Sequence, residues 1–161
     1  RCTYDRVAIL DIDLHHGNGT QSIFYARDDV LTVSLHADPL RFYPFFWGYA
    51  NERGKGRGEG FNLNLPLPRG SGDREFIEAL SMGLERIRDF APGALVIALG
   101  LDAFEGDPFG GLCISTLGFG EIGAAIARSL PLPTLVVQEG GYLCDELGDN
   151  LTCFLRGFMQ E

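Results

Sequence analysis

Residues 7–20 decide the fold, and their sequence is Val7-Ala8-Ile9-Leu10-Asp11-Ile12-Asp13-Leu14-His15-His16-Gly17-Asn18-Gly19-Thr20. The first four residues are apolar and rich in strand formers, and two glycines stop the strand from continuing. Asp11, Asp13 and His15 alternate with apolar residues, so in extended geometry their side chains project to one side. The stretch therefore predicts a strand that carries two carboxylates and an imidazole at its carboxyl end.

This cluster of polar side chains has two interpretations. Two carboxylates and an imidazole can share a cation, and oxygen and nitrogen ligands without a thiolate suit zinc, ferrous iron or manganese. An all-oxygen subset suits a harder ion. In open α/β sheets, ligands bind at this edge of the sheet. The alternative is that the same side chains only cap the following helix and solvate a turn.

The composition limits the class of protein. With 161 residues, of which 45% are hydrophobic, the chain has the length and core of one domain. Its net charge of −9 disfavours a nucleic-acid partner and is compatible with a cationic substrate. The four cysteines have no CxxC spacing, which indicates a reducing cytoplasm. No apolar run approaches the roughly 20 residues that span a bilayer, so we expect no membrane association.

Four apolar segments predict interior strands, and helical patterns alternate with them. The strands are expected at residues 7–11, 30–35, 94–100 and 134–138. The helices are expected at residues 20–26, 73–90, 119–129 and 150–159. Nearly continuous apolar strands that alternate with helices are typical of a parallel sheet covered on both faces. The sequence therefore predicts a doubly wound α/β fold.

Residues 36–68 interrupt this alternation. The segment is dense in aromatic residues and continues into a glycine-rich run, and it has no strand period before residues 61–65. We expect it to be ordered and to form a pocket wall or an interface. The alternative is that its aromatic side chains only pack a large loop. The aromatic residues are Phe42, Tyr43, Phe45, Phe46, Trp47 and Tyr49.

Asp102 follows the third predicted strand, two residues after Gly100, which permits a close approach of the backbone. If the first and third predicted strands are neighbours, Asp13, His15 and Asp102 meet at one point. Three protein ligands with an open fourth position are typical of catalytic rather than structural zinc. Taken alone, Asp102 is equally well explained as a helix cap or a turn residue.

The fourth predicted strand ends in Gln138-Glu139-Gly140-Gly141-Tyr142. The two glycines allow the backbone to turn sharply into the cleft. A tyrosine hydroxyl directed at a metal-bound carbonyl can donate a hydrogen bond to the developing oxyanion. Without its position at this sheet edge, Tyr142 would be interpreted as an ordinary loop aromatic.

Several segments together resemble the zinc-dependent histone deacetylase superfamily, and they occur in that family's order. They are Asp-Ile-Asp-Leu-His-His-Gly-Asn-Gly-Thr-Gln at 11–21, Val-Ser-Leu-His at 33–36, Gly-Leu-Asp at 100–102 with Asp107-Pro108, and Glu-Gly-Gly-Tyr at 139–142. Residues 43–50 and the glycine-rich run that leads to residues 61–64 are most similar to the bacterial class II and acetylpolyamine amidohydrolase branch.

The resemblance implies an arginase/deacetylase-like α/β fold and a zinc-dependent amidohydrolase. Its substrate would be an acetylated amine, either acetyl-lysine or an acetylpolyamine. The zinc ligands would be Asp13, His15 and Asp102, and Tyr142 would polarise the carbonyl. Residues 1–161 would form the C-terminal portion of a single catalytic domain, and the upstream part would be absent from this chain.

Further ions and a substrate channel are also implied by the resemblance. A structural potassium would be held by Asp11, Asp13, His15, Ser34 and Leu35. A second monovalent site would use main-chain oxygens around Phe24, Arg27, Val30 and Phe61. Tyr43 matches a position where the family often has a channel-lining phenylalanine, and we expect Gly140 and Gly141 to lie in the same channel.

The family's general base is a pair of histidines on a loop upstream of the segment that corresponds to residues 11–15. This sequence has only three histidines, His15, His16 and His36, and His16 would project away from the ligand side of the strand. We therefore expect this chain to carry the metal half of the site and to be inactive by itself.

Two other interpretations of function stay open at this point. The chain can be a non-catalytic remnant that binds a metal or a partner through the aromatic segment. It can also be a metal-dependent ureohydrolase, although such binuclear sites need more carboxylates and a second metal-binding histidine. The aromatic segment is also the candidate contact for a homo-oligomer.

Overall fold

The computed structural model describes residues 3–160 and contains a five-stranded sheet in which every neighbouring pair of strands is parallel. The strand order is β3-β2-β1-β4-β5. The strands are β1 (Val7–Asp11), β2 (Val30–Ala37), β3 (Asn62–Leu67), β4 (Ala94–Leu99) and β5 (Thr134–Gln138). Because β1 pairs with β4, the adjacency assumed for the first and third predicted strands is correct.

Helices cover both faces of the sheet, as predicted. They are α1 (Asn18–Phe24), α2 (Asp73–Phe90), α3 (Thr116–Ser129) and α4 (Leu147–Met159). Gly83 of α2 lies against Val33 and Leu65, so α2 packs on the face formed by these side chains. Gln21 of α1 bonds to Asn64, which precedes Leu65 in β3. Since successive side chains point to opposite faces, α1 lies on the other face.

Strand β3 is the element that the four predicted strands did not include. Its residues Asn62 and Asn64 alternate with leucines, and Pro66 follows. This mixture is typical of an edge strand rather than of a buried one. Both asparagine side chains are nevertheless buried. Their amide groups donate hydrogen bonds to the side-chain oxygen of Gln21, which compensates for the loss of water. The aromatic segment therefore returns to the sheet at residue 62.

Helix α3 begins three residues before its predicted start. The hydroxyl of Ser115 accepts a hydrogen bond from the backbone N–H of Gly118, which makes Ser115 the N-cap. The carboxylate of Asp73, the first residue of α2, in turn accepts hydrogen bonds from the N–H and the hydroxyl of Ser115. The starts of α2 and α3 are thus joined by one side chain.

The hydrophobic core lies between the sheet and helices α2 and α3. In α2 an apolar stripe is buried at Phe76, Leu80, Leu84 and Ile87, whereas Ile77 is only partly buried. The apolar stripe of α3 is buried as well and continues into the C-cap residue; its members are Phe119, Ile122, Ile126 and Leu130.

Strand β5 departs from the expectation of full coverage. Leu135 is 59% exposed and Val137 is 38% exposed, whereas Val136 between them packs against the core. One face of β5 is therefore open in this chain. Among residues 3–160, no helix has both the length and the apolar character needed to cross a membrane.

Helices α3 and α4 approach each other closely at glycines. A Cβ at Gly157 would overlap the carbonyl oxygen of Gly120, and one at Gly123 would overlap the carbonyl oxygen of Phe154. The buried ring of Phe154 fills the space beside this crossing. The absence of side chains at these positions therefore sets the distance between the two helices.

We expect Gly157→Ala to lower the free energy of unfolding by about 1–3 kcal/mol, because the added methyl group forces the two helices apart. Urea denaturation followed by circular dichroism measures this change. Gly148→Ala is the matched control in the same helix, because a Cβ there meets nothing within 4 Å. Equal destabilisation by both substitutions would contradict the close approach.

Candidate metal centre and aromatic groove

The three predicted zinc ligands meet at the carboxyl edge of the sheet. Asp13 and His15 follow β1, and Asp102 follows β4, its neighbour. The Nδ1 atom of His15 lies 3.1 Å from Oδ2 of Asp102 and 3.3 Å from Oδ1 of Asp13. One ligand atom from each residue lies within 4.8 Å of the other two. Adjacent strand ends thus produce the cluster.

The separations of these atoms fit a zinc ion. Ligand atoms at about 2.0–2.2 Å from a tetrahedral zinc lie about 3.3–3.6 Å apart, close to the two separations from His15. The carboxylates are also held in place by backbone amides. Oδ1 of Asp102 accepts a hydrogen bond from the N–H of Leu14 at 3.0 Å, and Oδ1 of Asp13 accepts one from the N–H of His15 at 2.8 Å. The donor set is therefore preorganised and contains no thiolate.

The electrostatics of the cluster favour a positive charge at its centre. Burial by itself would lower the pKa of His15, but hydrogen bonds to Asp102 and Asp13 outweigh it and raise the pKa to about 9. Burial, together with the charge of Asp13, raises the pKa of Asp102, although its hydrogen bond with His15 opposes this shift. Two carboxylates around one imidazole thus stabilise a cation.

Glycines next to the cluster leave room for the carboxylates. The N–H of Gly140 donates a hydrogen bond to Oδ2 of Asp13 at 2.8 Å. A Cβ at Gly140 would overlap carboxylate oxygens of both Asp13 and Asp102, and a Cβ at Gly100 would overlap Asp13. Gly141 has a φ of +133°, a backbone conformation that favours glycine. Of the two predicted channel glycines, Gly140 thus lies against the predicted metal ligands Asp13 and Asp102.

Asp11 lies behind the cluster, on the side of β2. Its side chain is buried, its Oδ1 accepts the N–H of Asp13 at 3.0 Å, and it is in register with Ser34. Burial raises the pKa of Asp11 to about 8, because the charged form loses its hydration. Asp11 and Ser34 line one small cavity, and Leu35 follows in β2. The structure therefore brings Asp11 and Ser34 together, and a potassium site that also uses Asp13, His15 and Leu35 stays a prediction.

The residues of the second predicted monovalent site lie near the turn from α1 into β2. The carbonyl oxygen of Phe24 accepts a hydrogen bond from the N–H of Arg27, and Val30 begins β2. The carbonyl oxygen of Phe61 accepts one from the N–H of Thr32. These oxygens take part in local hydrogen bonds, and the second cation site stays a prediction.

An aromatic groove leads to the cluster. The ring of Phe42 stacks on the His15 imidazole at 5.3 Å with an interplanar angle of 5°. Tyr43 and Phe109 meet the same imidazole edge-on at 5.9 and 6.2 Å. Phe109 also contacts Tyr142, with 4.2 Å between ring centroids. Predicted residues Tyr43 and Tyr142 therefore share this groove.

The sequence predicts no individual role for Phe42 or Phe109. Phe42 enters only as one member of the aromatic segment, and Phe109 follows Asp107-Pro108 without a pattern of its own. Both rings acquire their importance from contact with His15, which is distant in sequence. The aromatic density of the segment was the only signal for Phe42.

Buried polar groups hold the aromatic segment over the sheet. Glu52 accepts hydrogen bonds from the backbone N–H of Gly48 at 2.9 Å and from the side-chain amide of Gln21 at 2.6 Å. Nε2 of His36 lies 2.8 Å from the carbonyl oxygen of Gly48, so we assign the proton to this nitrogen. Burial lowers the pKa of His36 to about 4, which keeps its imidazole neutral. The predicted order of this segment is thus confirmed.

His16 belongs to the same network. Its Nε2 lies 3.0 Å from the Oε1 atom of Gln21, and its ring packs 4.7 Å from that of His36. It is 97% buried, in keeping with the expectation that it projects away from the ligand side. His16 is therefore held by the polar network and is not among the residues that line the aromatic groove.

Residues 1–158 match the model of the histone deacetylase domain. The chain belongs to this family. Among its relatives is the acetylpolyamine amidohydrolase of Burkholderia pseudomallei, 49% identical over 158 residues, which are 98% of this chain and 46% of that protein. Acetylpolyamine amidohydrolase 1 of Pseudomonas aeruginosa is 51% identical over 153 residues, 95% of this chain and 44% of that protein. The chain thus spans about half the length of these relatives.

Solved structures of this family confirm the predicted fold. The crystal structure of the acetylpolyamine aminohydrolase from Burkholderia pseudomallei has a TM-score of 0.92 at 49% identity and covers 96% of this chain and 45% of that one. A histone deacetylase homologue from Aquifex aeolicus has a TM-score of 0.92 at 31% identity. The match covers 99% of this chain and 43% of that one. The arginase/deacetylase-like α/β architecture is therefore correct for this histone deacetylase family member.

We expect Gly140→Ala to weaken zinc binding at least tenfold, because the methyl group would displace ligand oxygens of both carboxylates. Isothermal titration calorimetry with zinc measures this affinity. Gly19→Ala is the control from the same cavity, since a Cβ there meets nothing within 4 Å. The predicted centre would be wrong if the two variants bound zinc equally well.

Proposed function

We propose that the protein is a zinc-dependent amidohydrolase that removes acetyl groups from acetylated amines. The observation that carries this proposal is the convergence of Asp13, His15 and Asp102 at the base of a groove whose rim includes Tyr142. An acetylpolyamine is the favoured substrate, because relatives at 47–51% identity are acetylpolyamine amidohydrolases. An acetyl-lysine side chain is the alternative substrate, because its deacetylated product is also a cationic amine.

The proposed roles of the chain's own residues follow from their chemistry. Asp13, His15 and Asp102 would hold the zinc, which supplies Lewis-acid polarisation of the acetyl carbonyl and lowers the pKa of a water molecule at the open position. Tyr142 would donate a hydrogen bond from its hydroxyl to the oxyanion that develops on the carbonyl oxygen. A tyrosine phenol is protonated near neutral pH, so this hydroxyl is available as a donor.

The aromatic groove would orient the substrate. Phe42, Tyr43 and Phe109 surround the His15 imidazole, and an apolar wall of this kind suits an unbranched alkyl chain. Apolar walls exclude water from the reacting amide. The hydroxyl of Tyr43 adds one polar group to this wall, which can alter the preference among acyl amines.

Hydrolysis also requires a proton acceptor. The proton released by water must reach the departing amine nitrogen when the C–N bond breaks. None of the three histidines in this sequence is suited to this task, since His15 lies in the metal cluster and His16 and His36 are buried in the polar network. We propose that a histidine pair outside residues 1–161 supplies it and that this chain alone is inactive.

A second candidate function follows from the same observation. A chain without a suitable histidine base can be a non-catalytic remnant that binds a metal or a partner through the aromatic segment. Turnover of an acetylated amine by the full-length protein separates the two candidates. A ureohydrolase is not favoured, because the cluster offers one histidine and two carboxylates to a single ion.

The proposal includes a structural potassium beside the zinc. The supporting observation is the buried carboxylate of Asp11, which shares a small polar cavity with Ser34. Main-chain oxygens of Asp13, His15 and Leu35 would complete the ligand set. The site around Phe24, Arg27, Val30 and Phe61 would bind a second monovalent ion. Elemental analysis of the purified protein for zinc and potassium tests this composition.

A cytoplasmic location also belongs to the proposal. The thiols of Cys113, Cys144 and Cys153 are all free. Free thiols are typical of a reducing compartment.

We expect the full-length protein to hydrolyse an acetylated diamine in a reaction that a chelator abolishes and zinc restores. Tyr142→Phe should lower kcat by about 100- to 1000-fold, the usual effect of losing one oxyanion donor, and leave zinc binding unchanged. Product amine is quantified by chromatography. An acetyl-lysine peptide, assayed in parallel, identifies the preferred substrate.

Tyr4→Phe is the matched control for this measurement. Tyr4 and Tyr142 are both 41% exposed, but Tyr4 contacts Gly93, which precedes β4 at the opposite edge of the sheet. The control should keep the wild-type kcat. Turnover that is insensitive to both the chelator and Tyr142→Phe would refute the proposed mechanism, and no turnover at all would favour the non-catalytic remnant.

We further propose that the outer part of the aromatic segment forms a contact between two copies of the protein. Phe46 is 81% exposed and Trp47 is 50% exposed, which is unusual for such large apolar side chains. Phe46→Ser should shift the protein from dimer to monomer in size-exclusion chromatography with light scattering. Ile23→Ser, at a residue that is 71% exposed on α1, should leave the dimer intact. A monomeric wild type would contradict this contact.

A further inference from the structure

We propose that Asp107 is a positioning residue that fixes Tyr142 and Phe109 relative to the metal cluster. This inference depends on the proposed amidohydrolase function, because it concerns the placement of the proposed oxyanion donor. Asp107 itself is not among the residues that form the metal cluster. It would act through the two aromatic residues that it holds.

The carboxylate of Asp107 joins two loops of the site. Its Oδ1 accepts a hydrogen bond from the backbone N–H of Phe109 at 2.9 Å, and its Oδ2 accepts one from the backbone N–H of Tyr142 at 3.0 Å. Asp107 and Tyr142 are 35 residues apart in the chain. One side chain therefore connects the loop after β4 with the loop after β5.

The position of Asp107 is itself well defined. The residue is only 6% exposed, and its N–H donates a hydrogen bond to the carbonyl oxygen of Phe104 at 3.1 Å. Its carbonyl oxygen accepts one from the N–H of Gly110, also at 3.1 Å. The carboxylate is thus presented from a closed turn.

Tyr142 needs such an anchor. Its side chain is 41% exposed, so packing alone does not fix the phenol ring. The two residues before it are Gly140 and Gly141, which restrict the backbone least. The hydrogen bond from the N–H of Gly140 to Asp13 fixes the start of this pair, and the hydrogen bond from the N–H of Tyr142 to Asp107 fixes the chain after it. Without the second bond, the phenol is free to swing on Gly141.

The position of Phe109 also depends on its hydrogen bond to Asp107. Its ring is 57% exposed and contacts Tyr142 and His15 at centroid distances of 4.2 and 6.2 Å. Because Asp107 holds the backbone amides of both Phe109 and Tyr142, it also sets the distance between their rings. The wall of the groove and the proposed oxyanion donor are therefore positioned by the same carboxylate.

Only a carboxylate satisfies both amides. Each of its two oxygens accepts one N–H, whereas an asparagine offers one acceptor oxygen and one NH₂ donor. In Asp107→Asn, the NH₂ group must face one of the two backbone donors, so one hydrogen bond is lost. The substitution keeps the size of the side chain, which makes it a sensitive test.

The test measures zinc content, kcat and KM for Asp107→Asn in the full-length protein. Zinc content should stay at the wild-type level, because the three ligands are untouched. We expect kcat to fall by about 100-fold, the loss that a misplacement of about 1 Å produces, with a smaller change in KM. In the Tyr142→Phe background, the same substitution should lower kcat only a few-fold further, because its main target is already removed.

Asp73→Asn is the matched control. Asp73 also bridges two donors of another loop, the N–H and the hydroxyl of Ser115, but it lies at the start of α2, away from the cluster. This control should lower Tm without changing kcat. If Asp107→Asn keeps the wild-type kcat, or lowers kcat equally in the Tyr142→Phe background, the positioning role is wrong.

A measurement without turnover separates this inference from the proposed function. In protein labelled selectively at tyrosine and phenylalanine, nuclear Overhauser contacts between the rings of Phe109 and Tyr142 should be present in the wild type. They should be lost in Asp107→Asn and kept in Asp73→Asn. Their persistence in Asp107→Asn would overturn the positioning role, whereas absent wild-type turnover would overturn only the proposed function.

Asp107→Glu is the second test of the positioning role if the asparagine variant does not fold. It keeps both acceptor oxygens but lengthens the side chain by one methylene group. The carboxylate therefore displaces the backbone amides of Phe109 and Tyr142 from their present positions. We expect the same loss of kcat and of the ring contacts, with zinc retained. Wild-type values of both would overturn the positioning role.

Discussion

The parallel pairing of β1 with β4 is the interaction on which the rest of the structure depends. In this register Asp11 lies opposite Ala98, so the residues that follow each strand emerge side by side. Asp13, His15 and Asp102 are then close enough to share one ion, although 87 residues separate His15 from Asp102. The glycines beside them keep this edge of the sheet free of side chains that would displace the carboxylates.

Around this pair of strand ends, two loops are held by hydrogen bonds. The loop after β5 is fixed by Asp13 and Asp107, and the aromatic segment is fixed by Glu52. Such bonds specify position without filling the groove, so an entrance to the cluster is kept open. The apolar core between the sheet and helices α2 and α3 provides the rigid base from which these loops extend.

Local patterns were sufficient to predict β1 and to place Asp13, His15, Asp102 and Tyr142 at strand ends, whereas the meeting of the first three residues also required the pairing of β1 with β4. Strand β3 was not among the four predicted interior strands, although a strand period begins at residues 61–65, since its buried polar face is explained only by its contact with Gln21. The bridge from Asp107 to Tyr142 was equally inaccessible, because a carboxylate gives no local sign of which distant amides it will bind. The open face of β5 likewise depends on what packs beside it, not on its own apolar sequence.

The buried network beneath the aromatic segment has a consequence for altering this protein's specificity. Gly48 fits against the imidazoles of His16 and His36 with no space for a side chain, and Glu52 bonds back to α1. The aromatic segment and the buried polar network beneath it are therefore held together as one structural unit. A loop transplanted from another enzyme would have to bring equivalents of Gly48 and Glu52 with it, whereas the exposed residues between them can be exchanged one at a time.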